Sequence, residues 1–180
     1  MAAQVVSVSR CATHQLSKPV AGEVRLLAGI GVEGDCHAGA TVQHRSRLKA
    51  GRVSPNLRQV HLFSEEMLAS LMSRGFRVGP GVVGENITTR GIDLLALPRG
   101  ARLILGADAE VELTGLRTPC HQLDDYQAGL LEAMIERPPG AAAMLKAGVM
   151  AVATGSGVVK AGDAIRVILP PQPRRPLGPI

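Results

Sequence analysis

The sequence predicts a mainly β fold with a few helices, arranged as a closed or partly closed β-barrel. Three observations carry this reading. Short segments of alternating apolar and polar residues recur at regular spacing, glycine-rich turns separate them, and helical segments do not alternate strictly with strands as in a doubly wound sheet. Residues 4–9 and 23–27 alternate with period two, and residues 58–63 form a third strand with Val60 and Leu62 on one face. A helix follows. Ser64 is its N-cap, Glu65 and Glu66 occupy the first turn where the helix dipole favours anions, and Phe63 staples onto Leu68. Met67, Leu68, Leu71 and Met72 form its buried stripe, and Gly75 ends it. Residues 85–89, 101–105 and 109–114 read as further strands. A second helix is expected over 127–136, stopped by Pro138 and Pro139, and a third over 141–146. Strands at 149–153 and 164–169 complete the sheet.

A chain of 180 residues with 46% hydrophobic and 19% charged residues can bury one core, so residues 1–169 are expected to form one domain. Residues 170–180 hold five prolines and two arginines, and are expected to be a disordered tail. The N-terminus alternates like a strand and has no basic leader before an apolar block, so it does not read as a signal peptide. The longest apolar region, 141–159, is broken by Lys146 and glycines, and no membrane span is expected. Three widely spaced cysteines, Cys11, Cys36 and Cys120, make no disulfide framework and favour a reducing compartment, with the cytoplasm as the default.

The net charge is +5, with Arg45, Arg47, Lys49, Arg52 and Arg58 in one acid-free stretch. Nucleic acid is disfavoured as a partner, because single-strand binders need stacking platforms and the chain offers only Phe63, Phe76 and Tyr126, with no tryptophan. The same arginines suit a smaller anionic ligand, or simply a solvated basic loop. Gly29, Gly31 and Gly34 fit a GxGxxG pattern, but the residues after it are turn formers rather than a helix start. Dinucleotide binding is therefore disfavoured.

Cys120 is the candidate reactive atom. It follows a strand that ends at a turn, with Arg117 three residues before it and His121 after it, and a thiolate needs such cationic neighbours. Pro119 stiffens the loop and holds Thr118 extended. The competing reading is a half-buried structural cysteine. The loop Gly34-Asp35-Cys36-His37 brings a carboxylate, a thiol and an imidazole together. Cys36, His37, His44 and Cys120 carry donors for zinc, yet adjacent residues rarely face one ion and no C-x2-C or H-x3-H spacing is present. Asp35 and His37 can instead be a hydrogen-bonded pair that holds the loop. Gly84-Glu85-Asn86-Ile87-Thr88-Thr89 offers an amide and hydroxyls suited to a polar ligand.

Taken in order, Gly34-Asp35-Cys36-His37, Arg58-Gln59-Val60-His61-Leu62, Gly84-Glu85-Asn86-Ile87-Thr88-Thr89, Thr114-Gly115-Leu116-Arg117-Thr118-Pro119-Cys120 and Lys146-Ala147-Gly148-Val149-Met150-Ala151-Val152 with Gly162-Asp163 resemble a stand-alone MOSC domain. That module is also found at the C-terminus of molybdenum cofactor sulfurases. The resemblance implies a strand-rich barrel whose single family cysteine, here Cys120, handles sulfur or ligates molybdenum in the molybdenum cofactor, molybdopterin. It further implies Arg117 as the anion-binding group, Asn86 as a hydrogen-bonding partner of the pterin, and His37 and Arg58 as pocket residues. The activity implied is reduction of N-hydroxylated compounds, a small-molecule substrate, with electrons from a partner protein of reductase or ferredoxin type. The alternatives are a persulfide carrier and an escort that hands the cofactor to an accepting enzyme. Pyridoxal phosphate belongs to a separate large domain of the sulfurases and is not expected here. Cys36 reads either as a resolving partner for Cys120 or as a small loop residue. The oligomeric state is open.

Overall fold

The computed structural model describes residues 2–43 and 54–180. In chain order its elements are strands β1 (Gln4–Ser9), β2 (Val20–Ala21), β3 (Glu23–Leu27), β4 (Gly31–Val32) and β5 (Val60–Ser64), helix α1 (Glu65–Ser73), and strands β6 (Ile87–Arg90), β7 (Arg102–Leu105) and β8 (Ala109–Leu116). Helices α2 (Gln122–Tyr126) and α3 (Leu130–Ala133) follow, then strands β9 (Ile135–Glu136), β10 (Met144–Leu145), β11 (Val149–Gly155), β12 (Gly157–Lys160) and β13 (Ile165–Ile168). Eight strands form one sheet in the order β13-β7-β8-β11-β5-β6-β1-β2, and a second sheet runs β12-β3-β4. Parallel pairing occurs between β5 and β6. Their connection carries α1, as parallel neighbours need a crossover.

The expected mainly β character holds, but among the described residues no sheet closes into a barrel. The nearest approach to closure is local. Residues 3–5 at the start of β1 exchange backbone hydrogen bonds with residues 162–165, Val5 N to Asp163 O at 2.8 Å and Ile165 N to Ala3 O at 2.9 Å, with one isolated bridge between Gln4 and Ala164. A bulge between Val5 and Ser7 interrupts β1, which pairs with β6 on both sides of it and with β2 only at Val8 and Ser9.

The apolar faces of the two sheets enclose one core that includes Val5, Leu26, Leu62, Ile87, Leu103 and Val159. A second cluster packs α1, α2 and α3 beside the large sheet through Phe63, Leu68, Leu71, Leu123, Leu130 and Met134. Helix α1 starts as its sequence indicates, with Ser64 Oγ accepting from Met67 N at 3.2 Å. Met72, expected in the buried stripe, is 49% exposed, while Leu68 and Leu71 are buried in the core and Met67 packs partly against it. The helix expected over 127–136 is broken: Gly129 takes a φ of +84°, a left-handed conformation that ends one helical turn and starts another. The segment 141–146 is no helix either, since Met144–Leu145 pairs antiparallel with Ile135–Glu136.

The tail also departs from expectation. Leu177 is buried against the main core, Leu116 N donates to Gly178 O at 2.8 Å, and Arg99 N donates to Arg175 O at 2.9 Å. Proline removes a donor but keeps its carbonyl, so a proline-rich strand can still accept along an edge. Beyond the end of its pairing with β7, the last turn of β8 offers such an edge. Leu177→Ala should therefore lower unfolding free energy by about 2–4 kcal/mol in a urea titration. An unchanged midpoint would mean that the tail does not dock.

Candidate functional site

The ends of β1, β4, β5, β6 and β8 converge on a cavity of about 380 Å³ whose wall includes Lys18, His37, His61, Asn86, Arg117 and Cys120. Arg58 and Gln122 also line it. Cys120, Arg117, Asn86, His37 and Arg58, the residues implied by the resemblance, thus meet in one place. Cys120 is half-buried, carries a free thiol, and lies 3.6 Å from Gln122 Oε1, to which it donates. The chain reaches it from β8, whose last backbone groups are held by Arg117 N donating to Gly148 O at 3.0 Å.

One buried carboxylate organises the wall opposite. Asp35 pairs with the Lys18 ammonium at 2.8 Å, with both side chains almost fully withdrawn from water. Its Oδ2 also accepts from Cys11 N at 3.2 Å and from Asn86 Nδ2 at 3.0 Å, while Oδ1 accepts from His37 N at 3.0 Å and lies 3.2 Å from His37 Nδ1. Burial alone would raise its pKa, but the His37 hydrogen bonds and the Lys18 charge outweigh it and hold the carboxyl well below the usual range. The expectation that Asp35 and His37 form a loop-holding pair is met, with Lys18 as a third member.

Asn86 stands differently from the role implied for it. Its amide donates to Ser9 O at 3.1 Å and to Asp35, and its Oδ1 accepts from His61 N at 3.1 Å. Both amide protons are therefore spent on the protein, which makes Asn86 a group that positions the wall rather than a donor to a ligand.

Arg117 is anchored by donation from Nη1 to Val83 O at 2.5 Å, beside Gly84. Gly84 has a φ of +89°, and a Cβ there would sit 2.6 Å from Leu16 O, so only glycine lets these loops close. Burial lowers the pKa of the guanidinium from its ordinary value, while the Cys120 sulfur and Glu85 pull it back up. Glu85 is fully buried, and burial raises its pKa. His61 is fully buried too. Burial and the nearby Arg117 charge keep its pKa well below 6.5, so at neutral pH it is an uncharged ring whose Nε2 donates to Ala147 O at 2.8 Å.

The two remaining thiols differ. Burial and the Asp35 carboxylate push the Cys36 thiol up to about 11, whereas hydrogen bonds from Thr13 and Gln15 lower that of Cys11. At neutral pH iodoacetamide should modify Cys11 well before Cys36, as followed by peptide mass spectrometry. Equal labelling rates would contradict this assignment.

Lys18 and His61 were not singled out by sequence. His61 had a signal: Val60 and Leu62 face the core, so the residue between them must face away from it, toward the cavity. Lys18 had none, since a lysine beside Pro19 reads as solvated loop. Of the expected zinc donors, Cys36 and His37 come together but Cys120 does not join them. His44, with Arg45, Arg47, Lys49 and Arg52, lies outside the described residues.

The fold is similar to three solved structures. The YuaD protein from Bacillus subtilis superposes with a TM-score of 0.75 at 24% identity, covering 93% of this chain and 96% of that one. YiiM from Geobacillus stearothermophilus gives 0.63 at 18% identity, covering 92% and 75%. YiiM from Escherichia coli gives 0.59 at 18% identity, covering 96% and 73%. No curated protein matches. No helix among the described residues is long and apolar enough to cross a membrane. The MOSC domain family model matches residues 34–166, a span that takes in Asp35, His61, Asn86, Arg117 and Cys120, and the chain belongs to the MOSC domain family.

Proposed function

We propose that this protein binds the molybdenum cofactor in the cavity, with Cys120 as the protein ligand to the metal, and reduces N-hydroxylated compounds with electrons from a partner protein. The observation that carries this reading is a half-buried, free thiol opening onto a cavity bordered by Arg117, Arg58 and Lys18. The residues fit the group. A strongly electron-donating thiolate suits an oxo-molybdenum centre, guanidinium groups suit an anionic phosphate, and the cavity lies within the range of about 300–1,000 Å³ usual for small-molecule sites. Lys18 is neutralised by Asp35, so Arg117 supplies most of the positive charge facing Cys120.

When bound, the cofactor supplies a two-electron redox centre. The chain's own residues do the rest. Cys120 would anchor the metal, and Arg117, held by Val83 O and hydrogen-bonded to Cys120, directs its charge at an anion there. Uncharged His61 keeps a further cation from the wall. Exposed Thr118 and Gln122 leave the mouth open to substrate and to solvent protons. In the net reaction the N–O bond breaks and its oxygen leaves as water, consuming two electrons from the partner protein and two protons. The free thiols fit a reducing compartment such as the cytoplasm.

The test uses protein purified from cells that make the cofactor, given a hydroxylamine-type base and a chemical electron donor. Turnover by the wild-type protein that falls to background in Cys120→Ser supports the reading. Absence of turnover together with cyanide-releasable sulfur on Cys120 would overturn it in favour of a sulfur carrier.

A further inference from the structure

A second group of donor side chains gathers where the loop after β1 meets the turn after β4. The ligand-capable atoms of His14, Cys36 and His37 lie within 4.8 Å of one another, and all three residues are half-buried. The His14 and His37 rings meet edge to face with centroids 5.2 Å apart. The two loops are locked together close by, because Cys36 N donates to Cys11 O at 2.8 Å and Asp35 Oδ2 accepts from Cys11 N. Neighbours in sequence seldom face one ion. Here their donor atoms lie close together, and Asp35 Oδ1 accepts from the backbone N–H of His37 at 3.0 Å, folding the chain back on itself.

The same carboxylate orients the ring. Asp35 Oδ1 lies 3.2 Å from His37 Nδ1, and a carboxylate paired with an ammonium can only accept. The ring hydrogen therefore sits on Nδ1, beside Asp35 Oδ1 and also 3.2 Å from Cys36 Sγ, and the lone pair is on Nε2, so the ring and the thiol must rotate for both to face one ion. Histidines that bind metals commonly donate their other nitrogen to a carboxylate in this way.

We propose that His14, Cys36 and His37 form a site for a borderline-soft divalent cation of the zinc type, separate from the Cys120 position. Two imidazoles and one thiolate match the donor preference of zinc, and three protein ligands leave a fourth, tetrahedral position for water. Zinc bonds of about 2.0–2.3 Å place ligand atoms roughly 3.3–3.8 Å apart, so the side chains close on the ion by rotation. Binding releases one proton, from the Cys36 thiol to buffer. His37 is also a wall residue of the large cavity, so the ion sits at that wall. This inference does not depend on the molybdenum reading.

The test is a titration of the full, metal-stripped chain with Zn²⁺ alone, in competition with a chromophoric chelator, repeated with Co²⁺. One ion per chain is expected, with a sulfur-to-cobalt charge-transfer band that is missing in Cys36→Ser and kept in Cys120→Ser. His14→Ala should weaken binding by about tenfold or more. It removes only a loop ring, so it keeps the test decisive if Cys36→Ser fails to fold. Failure to retain one ion, or loss of the band in Cys120→Ser with retention in Cys36→Ser, overturns the site.

Discussion

Lys18→Met should lower the unfolding free energy by about 3–5 kcal/mol, the usual cost of leaving one partner of a buried ion pair without the other. Asp35 would then be a carboxylate with 0% exposed side chain and no cation beside it. The damage should spread, since Asn86, His37 and the backbone of Cys11 all donate to that group. Lys18→Met combined with Asp35→Asn should recover much of the loss, because the uncompensated charge is gone. Urea titrations of the two variants against the wild type measure this. A loss below about 1 kcal/mol for Lys18→Met would mean that water reaches the pair. The pH dependence has the matching sign. Asp35 is held below its unfolded value of 3.8, so its contribution is present above that pH and is lost as pH falls toward the folded value. His61, kept below its ordinary 6.5, acts earlier: the unfolded chain takes up a proton that the native ring refuses, so stability declines as pH drops below 6.5. Acid should therefore weaken the fold in two steps.

Arg117→Gln should weaken retention of an anionic cofactor by roughly 10–150-fold, the equivalent of about 1.5–3 kcal/mol for hydrogen bonds to a charged group. The guanidinium is partly buried beside Cys120 and Glu85, where water screens it less than at the open surface. Equilibrium reconstitution of the stripped protein with the cofactor provides the measurement. The amide keeps a donor for Val83 O, so the loop is expected to hold while the charge disappears. Unaltered affinity would remove Arg117 from the anion site.

Much of the sheet was legible because period-two alternation is a local signal: β1, β3, β5, β7, β8, β11 and β13 lie close to where their residues indicate. Strand β12 and the break at Gly129 were not. Gly157 opens a strand that only its partner β3 reveals, and Gly129 hides inside a run that is apolar enough for one helix. The tail was misjudged for a physical reason. Proline content speaks to donors, whereas docking uses the Arg175 and Gly178 carbonyls, one donor at Ile180 N and the buried side chain of Leu177. In the site, Cys120, expected from its cationic neighbours, and Arg117, His37 and Arg58, expected from the ordered motifs, all border one cavity. Lys18 and His14 escaped, since their partners Asp35 and Cys36 are 17 and 22 positions away and only the meeting of two loops joins them. Asn86 was placed correctly, but its capacity was spent on Ser9 and Asp35, which no sequence pattern discloses.

The claim on which the functional reading rests is that the Cys120 sulfur holds a metal-bearing cofactor inside the arginine-walled cavity. Molybdenum content per chain, measured by elemental mass spectrometry on protein from cofactor-making cells, tests it most directly. Close to one atom per wild-type chain and none above background in a folded Cys120→Ser variant is the predicted result. Equal molybdenum in both proteins, or none in either, would contradict it.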